Sequence, residues 1–169
     1  MVTTQLTRMI MSLPWDEIED ASDESGIPEN VIAAIILTES AGDRFACRFE
    51  KDYRWTYKTK ELAQDARITE TTELMLQMTS FGLMQIMGAV ARELGLKGSI
   101  LQLTDIKTNL KFACLLLKRL AKKYKERSDV FAAYNAGSPI KTLDGKYKNQ
   151  GYVDKVLDHL AAIEAVRGA

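Results

Sequence analysis

The stretch from Pro28 to Gly42 constrains the fold more than any other part of the chain. Pro28 suits the first turn of a helix, and Gly42 suits its end. Between them Ile32, Ile35 and Ile36 recur at helical spacing, so residues 28–41 read as a helix with an apolar, core-seeking face. Such a face needs other elements to cover it, and the chain supplies further helical windows. They fall at 14–25 with Gly26 as the stop, at 70–78 with Thr69 as N-cap, at 83–94 before Gly95, at 105–125, at 129–136 before Gly137, and at 152–166. One region differs. Phe45, Cys47 and Phe49, then Tyr53, Trp55 and Tyr57, alternate with polar residues on either side of Glu50-Lys51-Asp52, which predicts a β-hairpin. Residues 138–151 are polar, with Pro and two Gly, and read as a long surface loop. The expected class is α+β, mainly α-helical, in a single domain over 1–169.

Charge and composition remove several kinds of chemistry. Lys and Arg number 23, Asp and Glu number 23, and the net charge is zero. Nucleic acid is therefore not the expected partner, since phosphate binding needs a basic excess or a basic face. The basic run at 118–125 reads as a helix C-terminus and a solvated face. One His and two Cys cannot build a His/Cys zinc site from their own side chains, so no metal is expected. A nucleophilic triad would have only His159 for its base. Proton chemistry thus falls to carboxylates. Cys47 and Cys114 read as free thiols, with Cys114 a small core residue. No apolar run approaches the ~20 residues of a membrane span, and the first 13 residues lack the apolar core and cleavage site of a signal peptide.

Among the carboxylates Glu39 stands out. It lies three, four and seven residues after Ile36, Ile35 and Ile32, so it shares their face. It also lies in the last helical turn, where the macrodipole is negative. Burial and the dipole would both disfavour its ionised form and raise its pKa. A carboxylic acid kept protonated near neutral pH suits general-acid cleavage of a glycosidic bond. Taken by geometry alone, Glu39 could equally reach solvent or pair with Arg44 or Arg48.

Three blocks occur in order: Glu39-Ser40 at the end of the apolar helix, Gly82-Leu83-Met84-Gln85-Ile86-Met87, and Ala133-Tyr134-Asn135-Ala136-Gly137. Together they resemble the signature blocks of the soluble lytic transglycosylase (SLT) domain, which shares the lysozyme-like fold with goose-type lysozymes. The resemblance covers roughly residues 15–160. It implies cleavage of the β-1,4 bond between N-acetylmuramic acid and N-acetylglucosamine in peptidoglycan glycan strands, without a cofactor, by a monomer. Glu39 takes the place of the acid that protonates the glycosidic oxygen and then, as base, helps the muramyl 6-hydroxyl close a 1,6-anhydro ring. Gln85 and Met87 match positions that line the sugar groove. Tyr134 matches the tyrosine facing the acid, Asn135 matches a residue that supports the backbone there, and Ser40 would brace the helix end. Gly82 would permit close backbone approach.

The chain departs from that pattern in one place. Glu39 and Gly82 are 43 residues apart, about twice the usual spacing, and Thr79-Ser80-Phe81 stands where Ser and Gly-Ala are usual. The extra residues, about 45–80, hold the expected hairpin and the helix at 70–78. Ser80 or Thr79 would have to substitute for the family's serine beside the acid. Asp43, Glu50 and Asp52 fall in or beside the hairpin region and could hold a water, as extra acids do in goose-type lysozymes, so a hydrolytic muramidase is the alternative. A non-catalytic wall-binding or virion protein is a further reading. The absence of a recognisable export signal points to a bacteriophage endolysin or virion-associated lysin, made in the cytoplasm and brought to the wall by a holin or within the particle.

Overall fold

Val31, Ile32, Ala33, Ala34, Ile35, Ile36 and Leu37 are all buried, so the helix they form has no solvent face over two turns. It is apolar all round, rather than on the one face expected from its isoleucines, and such a helix belongs inside a bundle. The computed structural model describes residues 2–168, which divide into two compact units. Of the described residues, one unit comprises 2–42 and 114–168, the other Asp43–Ala113.

The first unit is helical. α1 (Thr4–Met11) is capped by the Thr3 hydroxyl, which accepts from Leu6 N–H at 3.2 Å. α2 (Trp15–Ser25) follows Pro14 and stops at Gly26, whose φ of 74° gives the left-handed C-terminal turn. The Trp15 indole N–H donates to Ile10 O at 2.8 Å and ties the two helices together. α3 is the buried helix, Glu29–Glu39. The bundle is completed by the later part of α7 (Ile106–Lys123), by α8 (Arg127–Ala136) and by α9 (Gln150–Arg167). α9 buries Val153, Val156, Leu160, Ala162 and Ile163, and α3 packs against it. The polar segment 138–149 is irregular, with a single bridge between Lys141 and Tyr147.

The second unit corrects the hairpin. β1 (Cys47–Phe49) pairs antiparallel with β2 (Thr79–Phe81), not with residues 53–57, and β2 pairs with β3 (Ile86–Met87). Residues 53–57 make no strand. Alternation reports an extended backbone, and it does not say which segment supplies the partner. α4 (Thr59–Ala66) and α5 (Glu70–Gln77) lie between β1 and β2, and the Thr69 hydroxyl caps α5 as expected. The window at 83–94 is corrected too. It is a turn, then β3, then α6 (Gly88–Glu93). A 3₁₀ turn (Ile100–Thr104) leads to the start of α7.

The turn from 82 to 85 is held by one buried side chain. Asn109 donates to Phe81 O and Leu103 O, both at 2.8 Å, and accepts from Met84 N–H at 2.9 Å. Gly82, at φ 74°, sits against that amide. A Cβ there would stand 2.3 Å from Asn109 Nδ2 and 2.4 Å from Leu103 O. Gly88 is as tight, since its Cβ would meet Leu76 O of α5 at 2.3 Å. Beneath them Arg92 and Glu73 form a fully buried ion pair, with Nε–Oε1 at 2.7 Å and Nη2–Oε2 at 2.8 Å.

Two outcomes follow. Gly82→Ala combines backbone strain with a clash against fixed atoms and should lower stability by about 2–3 kcal/mol, measured by urea unfolding. Cys47 is exposed, whereas Cys114 is buried and its thiol is pushed up to about 11 by desolvation. Iodoacetamide at pH 8 should therefore label one cysteine in the folded protein and two after unfolding, counted by intact mass.

Candidate active site

Glu39 is the last residue of α3, half-buried at the point where an apolar helix emerges. Ser40 closes the helix. Its N–H donates to Ile36 O at 3.0 Å, its hydroxyl donates to the same carbonyl at 3.2 Å, and its Oγ accepts from Gly42 N–H at 3.2 Å. Ala41 and Gly42 then take left-handed conformations (φ 53° and 91°) and turn the chain away. Glu39 thus sits on a rigid stub rather than on a fraying end.

α9 grips that stub along one of its own faces. Tyr152 donates its hydroxyl to Glu39 Oε1 at 2.7 Å. Lys155 donates to Thr38 O at 3.3 Å, and His159 Nδ1 lies 2.9 Å from Thr38 Oγ. Positions 152, 155 and 159 share a helix face, so a single packed surface fixes the carboxyl, the carbonyl before it and the side chain before it. The Lys155 ammonium also faces the negative end of the α3 dipole. His159 is held below its usual pKa, first by desolvation and then by the Lys155 charge.

Tyr134, near the end of α8, is the second tyrosine at the site. Its hydroxyl is pushed well above its ordinary pKa by desolvation and by the charge of Glu39. Tyr152 is raised by the same two causes, and then by Tyr134 and by its own hydrogen bond to Glu39. Both phenols therefore keep their protons throughout the working range of an enzyme. The half-buried carboxyl has one oxygen held by the Tyr152 hydroxyl, and its charge is felt by Tyr134. Such a group can give up a proton in a defined direction and take one back. Asn135 is exposed, and its Oδ1 accepts from Asn149 Nδ2 at 3.0 Å, which links the end of α8 to the approach to α9.

The middle sequence block lies in the second unit. Gln85 has φ 47° and uses its amide within its own neighbourhood. Nε2 donates to Ala46 O at 2.9 Å and to Gly82 O at 3.0 Å, while Oε1 accepts from the buried Ser80 hydroxyl at 2.9 Å. Met87 is half-exposed at the end of β3. Leu83, Met84 and Ile86 are core, as their spacing suggests. Of the three secondary acids, Asp43 accepts from Phe45 N–H at 2.9 Å, Glu50 pairs with Arg48, and Asp52 is exposed in a turn. Arg44 donates to Thr104 O at 3.3 Å.

The sequence reading brought Glu39, Ser40 and Tyr134 together but passed over Tyr152, Lys155 and His159. Their spacing of three and four along one helix was the available signal. The transglycosylase SLT domain family matches residues 16–155. The chain belongs to the SLT transglycosylase family. The match takes in Glu39, Gln85, Met87, Tyr134, Asn135 and Tyr152. No curated protein matches the chain. As an SLT domain with a lysozyme-like, mainly helical fold, the chain is a peptidoglycan-degrading enzyme in its general class, and its substrate is the cell wall. Among the described residues no helix is long and apolar enough to cross a membrane.

Tyr152→Phe tests the grip on Glu39. A hydrogen bond to a charged group contributes about 1.5–3 kcal/mol, or roughly 10–100-fold in rate if it acts in the transition state. Turnover of purified cell walls should fall by that factor while the melting temperature changes little.

Proposed function

We propose that this SLT domain is a lytic transglycosylase that cleaves the β-1,4 bond between N-acetylmuramic acid and N-acetylglucosamine and leaves a 1,6-anhydro-muramyl end. The observation that carries the reading is a half-buried glutamate on the end of a fully buried helix, held by the Tyr152 hydroxyl and influenced by Tyr134. In the first step the Glu39 carboxyl gives its proton to the glycosidic oxygen and the C1–O bond breaks. The oxocarbenium-like centre is stabilised by the sugar's own acetamido group, so a second carboxylate is not obligatory. In the second step the Glu39 carboxylate takes the proton of the 6-hydroxyl as O6 bonds to C1. The proton that Glu39 gives up in the first step is replaced by the one it takes in the second, so the acid is regenerated, and the Tyr152 hydroxyl keeps it oriented. Met87 and Gln85 are assigned to the substrate groove by their match to the family's positions, while Asn135 supports the backbone beside Tyr134 and Ser40 braces the helix end that carries Glu39.

The alternative is hydrolysis of the same bond. That chemistry needs a carboxylate to hold a water across the sugar from the acid, about 6.5–9.5 Å away in an inverting enzyme. Asp43 and Glu50 are each engaged by a local partner. Those engagements favour the transglycosylase reading.

Glu39→Gln keeps the shape of the side chain and removes its proton chemistry. Release of soluble fragments from purified sacculi should fall by about 10²–10⁴-fold with the fold intact. Wild-type fragments should be lighter by one water than hydrolysis products in a mass spectrum. Full activity in the variant, or fragments with reducing ends, would sink the proposal.

A further inference from the structure

The second unit carries a surface of its own, rich in exposed rings and cations. Residues 44–58 hold five aromatics (Phe45, Phe49, Tyr53, Trp55, Tyr57) and five cations against two acids, a net charge of +3 in a chain whose total is zero. A segment that packed over helices would hide its rings. Here Phe45 is 67% exposed, Phe49 51% and Trp55 75%. Single exposed apolar residues are ordinary, but three large ones within eleven positions, mixed with like charges, mark an interaction surface. β1 is also an edge strand, since β2 takes its second partner from β3.

The segment is built to keep its shape. Glu50 N–H donates to Met78 O at 2.8 Å, and Tyr53 N–H donates to Glu50 O at 3.0 Å. Tyr53 and Trp55 meet edge to face, with centroids 5.6 Å apart. At Tyr57 both backbone groups are clamped by Gln77. Its Oε1 accepts from Tyr57 N–H at 2.7 Å and its Nε2 donates to Tyr57 O at 2.8 Å. The same Nε2 donates to Glu73, the buried partner of Arg92. The backbone that carries the rings is therefore anchored at Glu50 and Tyr57, the latter to a network rooted in the core, which lowers the freedom left to lose on binding.

Flat apolar rings suit the C–H faces of pyranose sugars, and interspersed cations suit carboxylates. Peptidoglycan offers both on one polymer, as glycan rings and as stem peptides with free carboxylates. We propose that residues 44–58 form an auxiliary peptidoglycan-binding surface that retains the enzyme on its insoluble polymer. This rests on the peptidoglycan reading of the SLT domain. Phe49 and Trp55 supply stacking faces, and Lys51 and Arg54 supply the charge.

The test uses the full chain and two double variants, Phe49→Ala/Trp55→Ala and Lys51→Glu/Arg54→Glu. All four positions are exposed, and unfolding curves confirm that each variant folds. Co-sedimentation with purified sacculi should weaken about tenfold in either variant, and wild-type binding should fall as salt rises. Turnover of sacculi should drop through a higher KM, while cleavage of a short soluble glycan stays at the wild-type rate. Variants that bind sacculi as wild type does would overturn the proposal. Equal loss on the soluble glycan would overturn it as well, by placing these residues in the cleavage site. Preferred retention on anionic vesicles or a single-stranded oligonucleotide would reassign the surface, as would self-association abolished by the same substitutions. A wild-type chain that cleaves neither substrate would remove the peptidoglycan reading itself.

Discussion

The helical unit depends on the packing of α3 against α9. A helix buried on every side can end in a carboxyl only if something else satisfies that end, because an isolated charge taken out of water is expensive. α9 provides what is needed from one face: a hydroxyl for the carboxyl, an ammonium for the preceding carbonyl and an imidazole for the preceding hydroxyl. The apolar part of the same helix, Val153, Val156, Leu160 and Ile163, supplies the burial that holds those groups in place. Packing and acid orientation are therefore one property. A change that loosened the α3–α9 contact would disorient Glu39 before it unfolded the bundle.

The second unit is organised by polar groups taken deep inside. Glu73, Gln77, Ser80, Arg92 and Asn109 are all buried and hydrogen-bonded. Buried ion pairs are weak evidence for stability, since desolvation offsets their attraction. Their role here is geometric. Arg92 orients Glu73, Glu73 orients Gln77, and Gln77 holds the backbone of Tyr57. Asn109 does the same for the turn at 82–85. A small sheet with strands of two or three residues cannot fix long connections by its own ladder, so side-chain amides take over that work.

Much of this was legible in the sequence where Pro and Gly punctuate helices. Both ends of α2, the start of α3 and the end of α8 came from Pro14, Gly26, Pro28 and Gly137, which act locally and leave a local trace, whereas α3 stops at Glu39, short of the expected Gly42. α1 and α4 passed unnoticed because each is short and amphipathic without Pro or Gly at its ends. The strands were misread for a different reason. Phe45 to Tyr57 alternates as a hairpin would, yet the partner of β1 lies some thirty residues on, and alternation carries no information about distance along the chain. At the site, Glu39 was visible from helix phase. Tyr152, Lys155 and His159 were not, because their importance exists only once α9 lies against α3.

The middle block separates a residue's identity from its mode of action. Gln85 resembles a groove residue, and a glutamine in a groove is expected to offer its amide to a sugar. Both of its N–H groups are already donated, to Ala46 O and Gly82 O, and its oxygen already accepts from Ser80. Its backbone adopts a left-handed conformation that a non-glycine residue takes at some strain. The amide is what makes that conformation tenable, since it bridges the residue before β1, β2 and the turn. What the amide of Gln85 does in the structure is shape the turn that leads to Met87 two residues on. Glutamate at 85 would lose both donors and set a carboxylate against Ala46 O and Gly82 O, each then left with one backbone N–H, so the turn itself favours an amide at this position.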